Sequence, residues 1–262
     1  MRTAVYLPPF GELADAEALA YLAARAEDAG FHGAFLWDHV ARPHHRGLQV
    51  GEPWTALAAM ALRTERIVLG TRVTPLPRRR PHDLARQTVA VDRLSGGRLV
   101  LGVGLGSNTG GELSALGEED DPRVRAGMLD EALDVLCRLW SGERVDHDGR
   151  HYRVDGLRFL PRPVQRPRIP VWVAAQAVKD APLRRAARFD GLCAEADPER
   201  LAEMLAVVRE YRGGLEGFET AVCGRPGEDP GPYRRAGATW WLMRLPEVTT
   251  VRAAATLISR GG

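Results

Sequence analysis

Short β-branched or apolar runs alternate along the chain with stretches of helical period, the pattern of repeated βα units around a parallel sheet. Eight runs read as strands: residues 3–7, 32–37, 67–73, 99–104, 169–174, 191–194, 220–223 and 239–243. Between them, Asp15 caps a helix with Leu19, Leu22, Ala23 and Ala26 on one face, and Gly30 stands where a helix C′ residue belongs. A second helix begins at Pro53. A third opens with Pro81 at its first position, where the missing N–H costs nothing; Leu84, Thr88, Val91 and Leu94 form its face and Ser95-Gly96-Gly97 stops it. The longest starts at Asp121-Pro122, with Leu129, Ala132, Leu133, Leu136, Leu139 and Trp140 at helical spacing. Further helices are expected over 182–188, 198–211 and 246–258, with a short one around Tyr233.

Two segments depart from a minimal βα repeat: the glycine-rich stretch 104–117 and residues 142–167, where GERVDHDGRHYRV reads as a hairpin followed by a proline-rich run. The whole pattern predicts an α/β fold, a single closed (β/α)8 TIM barrel over residues 1–262 with an excursion after its fourth strand. With 45% hydrophobic and 27% charged residues and no long apolar run, disorder and membrane spans are excluded. A net charge of +2 gives no field to attract nucleic acid. Cys137, Cys193 and Cys223 form no zinc-ligand pattern and cannot all pair within the chain, and no charged head with an apolar run precedes the first strand. The expectation is a cytoplasmic protein without a cleaved leader.

In such a barrel, function sits where the strands end, on the C-terminal face. The second strand ends in Trp37-Asp38-His39. His39 is the candidate acid or base, with Asp38 to orient it or a neighbour; a packing role is the plain alternative. Asp38 with His44 and His45 suggests a metal site, but no ligands stand at other strand ends, and no metal is expected. Gly102-Val103-Gly104-Leu105-Gly106 closes the fourth strand, yet Ser107 occupies the third-glycine position of a dinucleotide fingerprint, so a Rossmann reading fails. The glycines fit either a tight turn or close approach of a ligand. The absence of GxxxxGK[ST], HExxH and GxSxG disfavours nucleotide hydrolysis, zincin proteolysis and α/β-hydrolase chemistry. Arg78-Arg79-Arg80 before the Pro81 helix fits an anion grip, or more readily a solvated turn. Trp37, Trp54, Trp172, Trp240 and Trp241 suit a ring-binding cavity or plain core.

The stretch ERIVLGTRVTPLPRRRPHDLARQTVAVDRLSGGRLVLGVGLGSN resembles the central motif of the bacterial luciferase-like family of flavin-type oxidoreductases. WDHV, LDEALDVLCRLWSGERVDHDGRHYRV and IPVWVAAQA occur in that family's order, so the resemblance spans about residues 1–195. It implies a barrel that binds the deazaflavin coenzyme F-420 (8-hydroxy-5-deazaflavin), or alternatively FMN, at its C-terminal face, and a small organic substrate. The family's late insertion is trimmed here. Carried over by position, Asp38 and His39 match the pair beside the reactive ring carbon. Val73 matches the residue backing the ring, after a non-prolyl cis peptide from Arg72; Gly104, Gly106 and Ser107 match the loop beside ring and ribityl chain. Ala175, Gln176 and Ala177 match the phosphate-side loop, although the glycine pair or serine common there is absent. The resemblance favours F-420-dependent hydride transfer. Its alternatives are an FMN-dependent monooxygenase served by a flavin reductase, and a catalytically silent flavin-binding protein. A homodimer through outer helices is common in the family.

Overall fold

The computed structural model describes every residue except His44, Arg46, Thr109 and Gly262. Eight parallel strands close on themselves: β1 (Arg2–Leu7), β2 (Gly33–Leu36), β3 (Val68–Pro75), β4 (Leu99–Gly104), β7 (Val171–Ala175), β8 (Gly191–Ala194), β9 (Glu219–Gly224) and β10 (Trp240–Arg244). Their order around the barrel is β1-β10-β9-β8-β7-β4-β3-β2. Closure is made by β1 against β10, where Ala4 pairs Leu242 and Tyr6 pairs Arg244. The excursion after the fourth strand is an antiparallel hairpin, β5 (Arg144–Asp148) and β6 (Arg153–Arg158), outside the barrel.

Strand alternation sorts side chains into two cores. Ala4, Tyr6, Phe35, Val100, Trp172 and Trp240 face inward as one buried cluster, while Val5, Leu7, Ala34, Leu36, Trp241 and Met243 face the helices. Inside, Phe35 and Trp172 stack with ring centroids 5.4 Å apart, and Trp240 lies 5.6 Å from Trp172. These rings plug the barrel, as side chains do in barrels of this size. Trp37 is the one tryptophan of the set that reaches the mouth; the others are core.

The surrounding helices are α1 (Ala16–Asp28), α2 (Pro53–Arg63), α3 (Pro81–Leu94), α5 (Pro122–Trp140), α6 (Asp180–Ala187), α7 (Pro198–Arg212), α8 (Gly231–Arg235) and α9 (Val251–Gly261), with a short α4 (Glu112–Ala115) in the glycine-rich stretch. The capping chemistry explains their starts: the Asp15, Asp121 and Asp197 carboxylates accept from the backbone N–H groups of Glu17, Arg123 and Arg200. Gly30 takes the left-handed conformation that ends α1, at φ +85°. The last helix starts at Val251 instead of near 246, because Thr250 is its cap, accepting from Ala253 N–H at 3.1 Å, and Glu247 before it is drawn into an ion pair with Arg42. Among the described residues, no helix is long and apolar enough to cross a membrane.

Candidate coenzyme and substrate site

At the C-terminal ends of the strands the barrel opens into a cavity of about 920 Å³. Asp38 and His39 line it, as do Arg72, Val73, Gly104, Gly106 and Ser107, with Ala175, Gln176 and Ala177 on the far side. The strand ends therefore bring all the sequence-derived candidates to one place, but they divide the work differently from the expectation.

Asp38 does not orient His39. Its fully buried carboxylate accepts from Arg78 Nη2 at 2.7 Å and from Arg79 Nε and Nη2 at 3.0 and 2.8 Å. Two of the three arginines are thus neither a solvated turn nor a free anion grip: the Arg78 and Arg79 side chains are 5% and 14% exposed and their charges are spent on Asp38, while Arg80 is exposed. This fork joins the end of β2 to the turn leading into α3. It also removes Asp38 from any metal-ligand set with His45; His44 lies outside the described residues. No group of three or more His, Cys, Asp or Glu side chains suited to a metal ion occurs among the described residues.

The partner of His39 is Glu112, which the sequence reading missed. His39 Nδ1 lies 2.6 Å from Glu112 Oε2, while Oε1 accepts from the Val40 N–H at 2.7 Å. Burial would raise the Glu112 pKa, but these hydrogen bonds, with the charges of His39 and Arg78, outweigh it and hold the carboxyl below the usual 4.5. An ionised Glu112 is an acceptor only, so His39 donates its Nδ1–H to it and Nε2 is the ring nitrogen left to accept. Phe10 and Trp37, themselves in edge contact, both pack against the imidazole, at 5.7 and 6.2 Å between centroids.

On the neighbouring strand, the pairing of β3 with β4 shifts register between Thr71 and Thr74, and the peptide joining Arg72 and Val73 is cis, as the resemblance implies. Arg72 is buried. Its Nη2 donates to the Ala194 carbonyl at 2.7 Å, its Nη1 lies 3.8 Å from Glu195, and its own carbonyl accepts from the Tyr6 hydroxyl. Burial pushes the Tyr6 phenol above its ordinary range. Burial likewise raises Cys193 to about 12, against the opposing charge of Arg72, so it stays a thiol and not a nucleophile.

Val73 presents its side chain beside Gly104, where an added Cβ would lie 2.9 Å from Val73 Cγ2. Gly106, at φ +74°, turns the loop away, and Arg125 Nη1 holds that turn by donating to the carbonyls of Leu105 and Gly106 at 3.2 and 3.1 Å. Arg125 had a sequence signal: it falls on the otherwise apolar stripe of α5 with Leu129, Ala132 and Leu136. Glu112 had none, because α4 is too short to carry a period.

These residues fit a flat tricyclic coenzyme. Val73 and the side-chain-free Gly104 make a smooth apolar wall, and Trp37, whose buried Nε1 has no partner among the described residues, lines the same cavity from the end of the neighbouring strand β2. The Gly106–Ser107 turn and the loop from Ala175 to Lys179 line the same cavity.

Residues 2–226 match the family model described as luciferase-like monooxygenase. The chain is 35% identical over 178 residues to the F-420-dependent glucose-6-phosphate dehydrogenase of Nakamurella multipartita, 64% of this chain and 51% of that protein. It spans about half the length of the curated relatives it matches. Among solved structures, an F-420-dependent secondary alcohol dehydrogenase in complex with an F-420–acetone adduct superposes with a TM-score of 0.82 at 18% identity, covering 99% of this chain and 97% of that one. A monooxygenase from Streptomyces bottropensis gives a TM-score of 0.80 at 22% identity, over 98% and 96% of the two chains. At these identities the structural likeness speaks to the barrel alone, whereas the match over residues 2–226 fixes the kinship: the chain belongs to the luciferase-like monooxygenase family.

Proposed function

We propose that the chain, acting as one barrel domain, is an oxidoreductase that uses coenzyme F-420 to move hydride to or from a small organic substrate. The observation that carries this reading is the His39–Glu112 pair, a base with its second nitrogen free, lining the same cavity as the Val73–Gly104 wall. The names of the curated relatives support F-420 over FMN. Val73 and Gly104 would back the ring, with Gly106, Ser107 and the 175–177 segment along the chain to the phosphate. Bound there, F-420 supplies a ring carbon that accepts or returns a hydride.

The protein's own part is positioning and proton transfer. Glu112 keeps Nδ1 of His39 protonated, so Nε2 takes the proton of a substrate hydroxyl as it becomes a carbonyl, and returns it in the reverse direction. Asp38 acts at one remove, through Arg78 and Arg79, to hold the β2 and β3 ends at fixed spacing. The rings of Phe10 and Trp37 narrow water access to the imidazole. A cytoplasmic setting and a homodimer go with this reading.

Separate titrations of the purified protein with F-420 and FMN, each in both redox states, test it. Saturable F-420 binding with weak FMN binding is expected. Preference for reduced FMN replaces the reading with a monooxygenase served by a flavin reductase, and binding of neither leaves a silent barrel. In the F-420 case, His39→Ala is expected to lower turnover about 10²–10⁴-fold with coenzyme affinity retained.

A further inference from the structure

Four carboxylates line the cavity, and all but one are committed. Asp38 is held by Arg78 and Arg79, Glu112 by His39 and the Val40 N–H, and Glu195 by Gln176 Nε2 at 2.8 Å and Arg72. Asp120 lies exposed on the approach to α5. Of the cations, Arg72 and Arg125 are bound to backbone carbonyls, and Arg78 is spent on Asp38. Two have no side-chain partner among the described residues: Lys179, exposed beyond β7, and Arg244, half-buried at the end of β10.

Their positions differ in kind. Around the rim the order runs β7-β4-β3-β2-β1-β10. The residues assigned to the coenzyme stand on β3, β4 and β7 or directly after them, and Lys179 belongs to that side. Arg244 stands past the base, two strands beyond β2. Strand alternation puts it on the same inward face as Trp240 and Leu242, and in register with Tyr6. Its nearest acidic neighbour in sequence, Glu247, is paired with Arg42 and does not neutralise it. A guanidinium half out of water, with five donors and no acceptor, selects for a planar or tetrahedral oxyanion.

We propose that Arg244 is the specificity determinant for substrate and that the substrate carries an anionic group, a carboxylate or a phosphate ester, which Arg244 binds while the reacting carbon lies under His39 Nε2. This rests on the reading of the cavity as a coenzyme and substrate site. The cation sets which molecules enter; the hydride and proton steps are unchanged by it.

Calorimetric binding of benzoate, phenyl phosphate and benzyl alcohol to wild type, Arg244→Gln and Arg244→Lys, with and without F-420, tests the proposal. Wild type is expected to favour at least one anion over benzyl alcohol by about tenfold or more, the equivalent of about 1.4 kcal/mol. Arg244→Gln should erase that margin without changing benzyl alcohol affinity, and Arg244→Lys should keep part of it. Benzoate against phenyl phosphate then distinguishes carboxylate from phosphate. Equal affinity for the three probes, or a margin that survives Arg244→Gln, overturns the proposal. So does a tenfold loss of F-420 affinity in Arg244→Gln, which would give the guanidinium to the coenzyme. Failure of wild type to bind F-420 appears separately and strikes the coenzyme reading, because the anion comparison is also made without coenzyme.

Discussion

Asp38 and His39 are adjacent in the chain and face different tasks. The Asp38 carboxylate has no exposed surface and accepts from two guanidiniums, so it neutralises charges that are themselves out of water. Removing one partner of such a buried set costs about 3–5 kcal/mol, because the remaining charges stay desolvated and uncompensated. Asp38→Asn is therefore expected to lose about that much stability in urea unfolding. A loss below about 1 kcal/mol would be the size of an exposed pair and would return Asp38 to the chemistry. His39 was legible in the sequence because it follows a strand end directly. Glu112 was not: 73 positions separate it from His39, and only the return of the chain after β4 brings the two together. The role of Asp38 was hidden for the same reason, since nothing local distinguishes a carboxylate beside a histidine from one facing an arginine pair on the next strand's turn.

Elements are joined by carboxylates at their ends as much as by apolar faces. Glu27, in the last turn of α1, accepts from the backbone N–H groups of Glu65, Arg66 and Ile67 at 3.1, 2.7 and 2.9 Å, tying α1 to the segment that enters β3. Burial acts to raise its pKa, yet those donors and Arg66 hold it below the usual 4.5. A carboxyl depressed on folding stabilises the fold above its ordinary pKa, and that contribution is lost as pH falls through the depressed value. Glu27→Gln is expected to cost about 1–3 kcal/mol at neutral pH. The gap from wild type should shrink as pH drops below 4.5, as read from urea midpoints across the acid range. A gap independent of pH would mean that shape, not charge, makes the contact. The elements themselves were legible because capping residues and apolar spacing act within a turn or two. Where the reading placed the last helix too early, a long-range pair, Glu247 with Arg42, had drawn out the chain that local signals left helical.

The closed sheet makes the molecule depend on its interior plug. Trp240 is 1% exposed, packs on Phe35 and Trp172, and lies on the strand that closes the barrel against β1. Trp240→Ala is expected to cost about 3–5 kcal/mol. Urea unfolding should still be a single transition with an unchanged slope; a second transition would show that the β1–β10 seam opens independently of the rest. By itself the sequence determined the alternation of strands and helices, the capped helix starts, the strand ends where chemistry gathers, and a family motif that pointed to a flavin-type coenzyme. Each of these is written within a few residues, in periods of two or 3.6 and in short capping patterns. The tertiary structure alone decided that Asp38 belongs to Arg78 and Arg79, that Glu112 serves His39, that Arg125 holds the glycine loop, and that Arg244 at the mouth has no partner among the described residues. Those arrangements set residues of different strand ends, loops and helices side by side, and no local period records which of them a closed barrel will bring together.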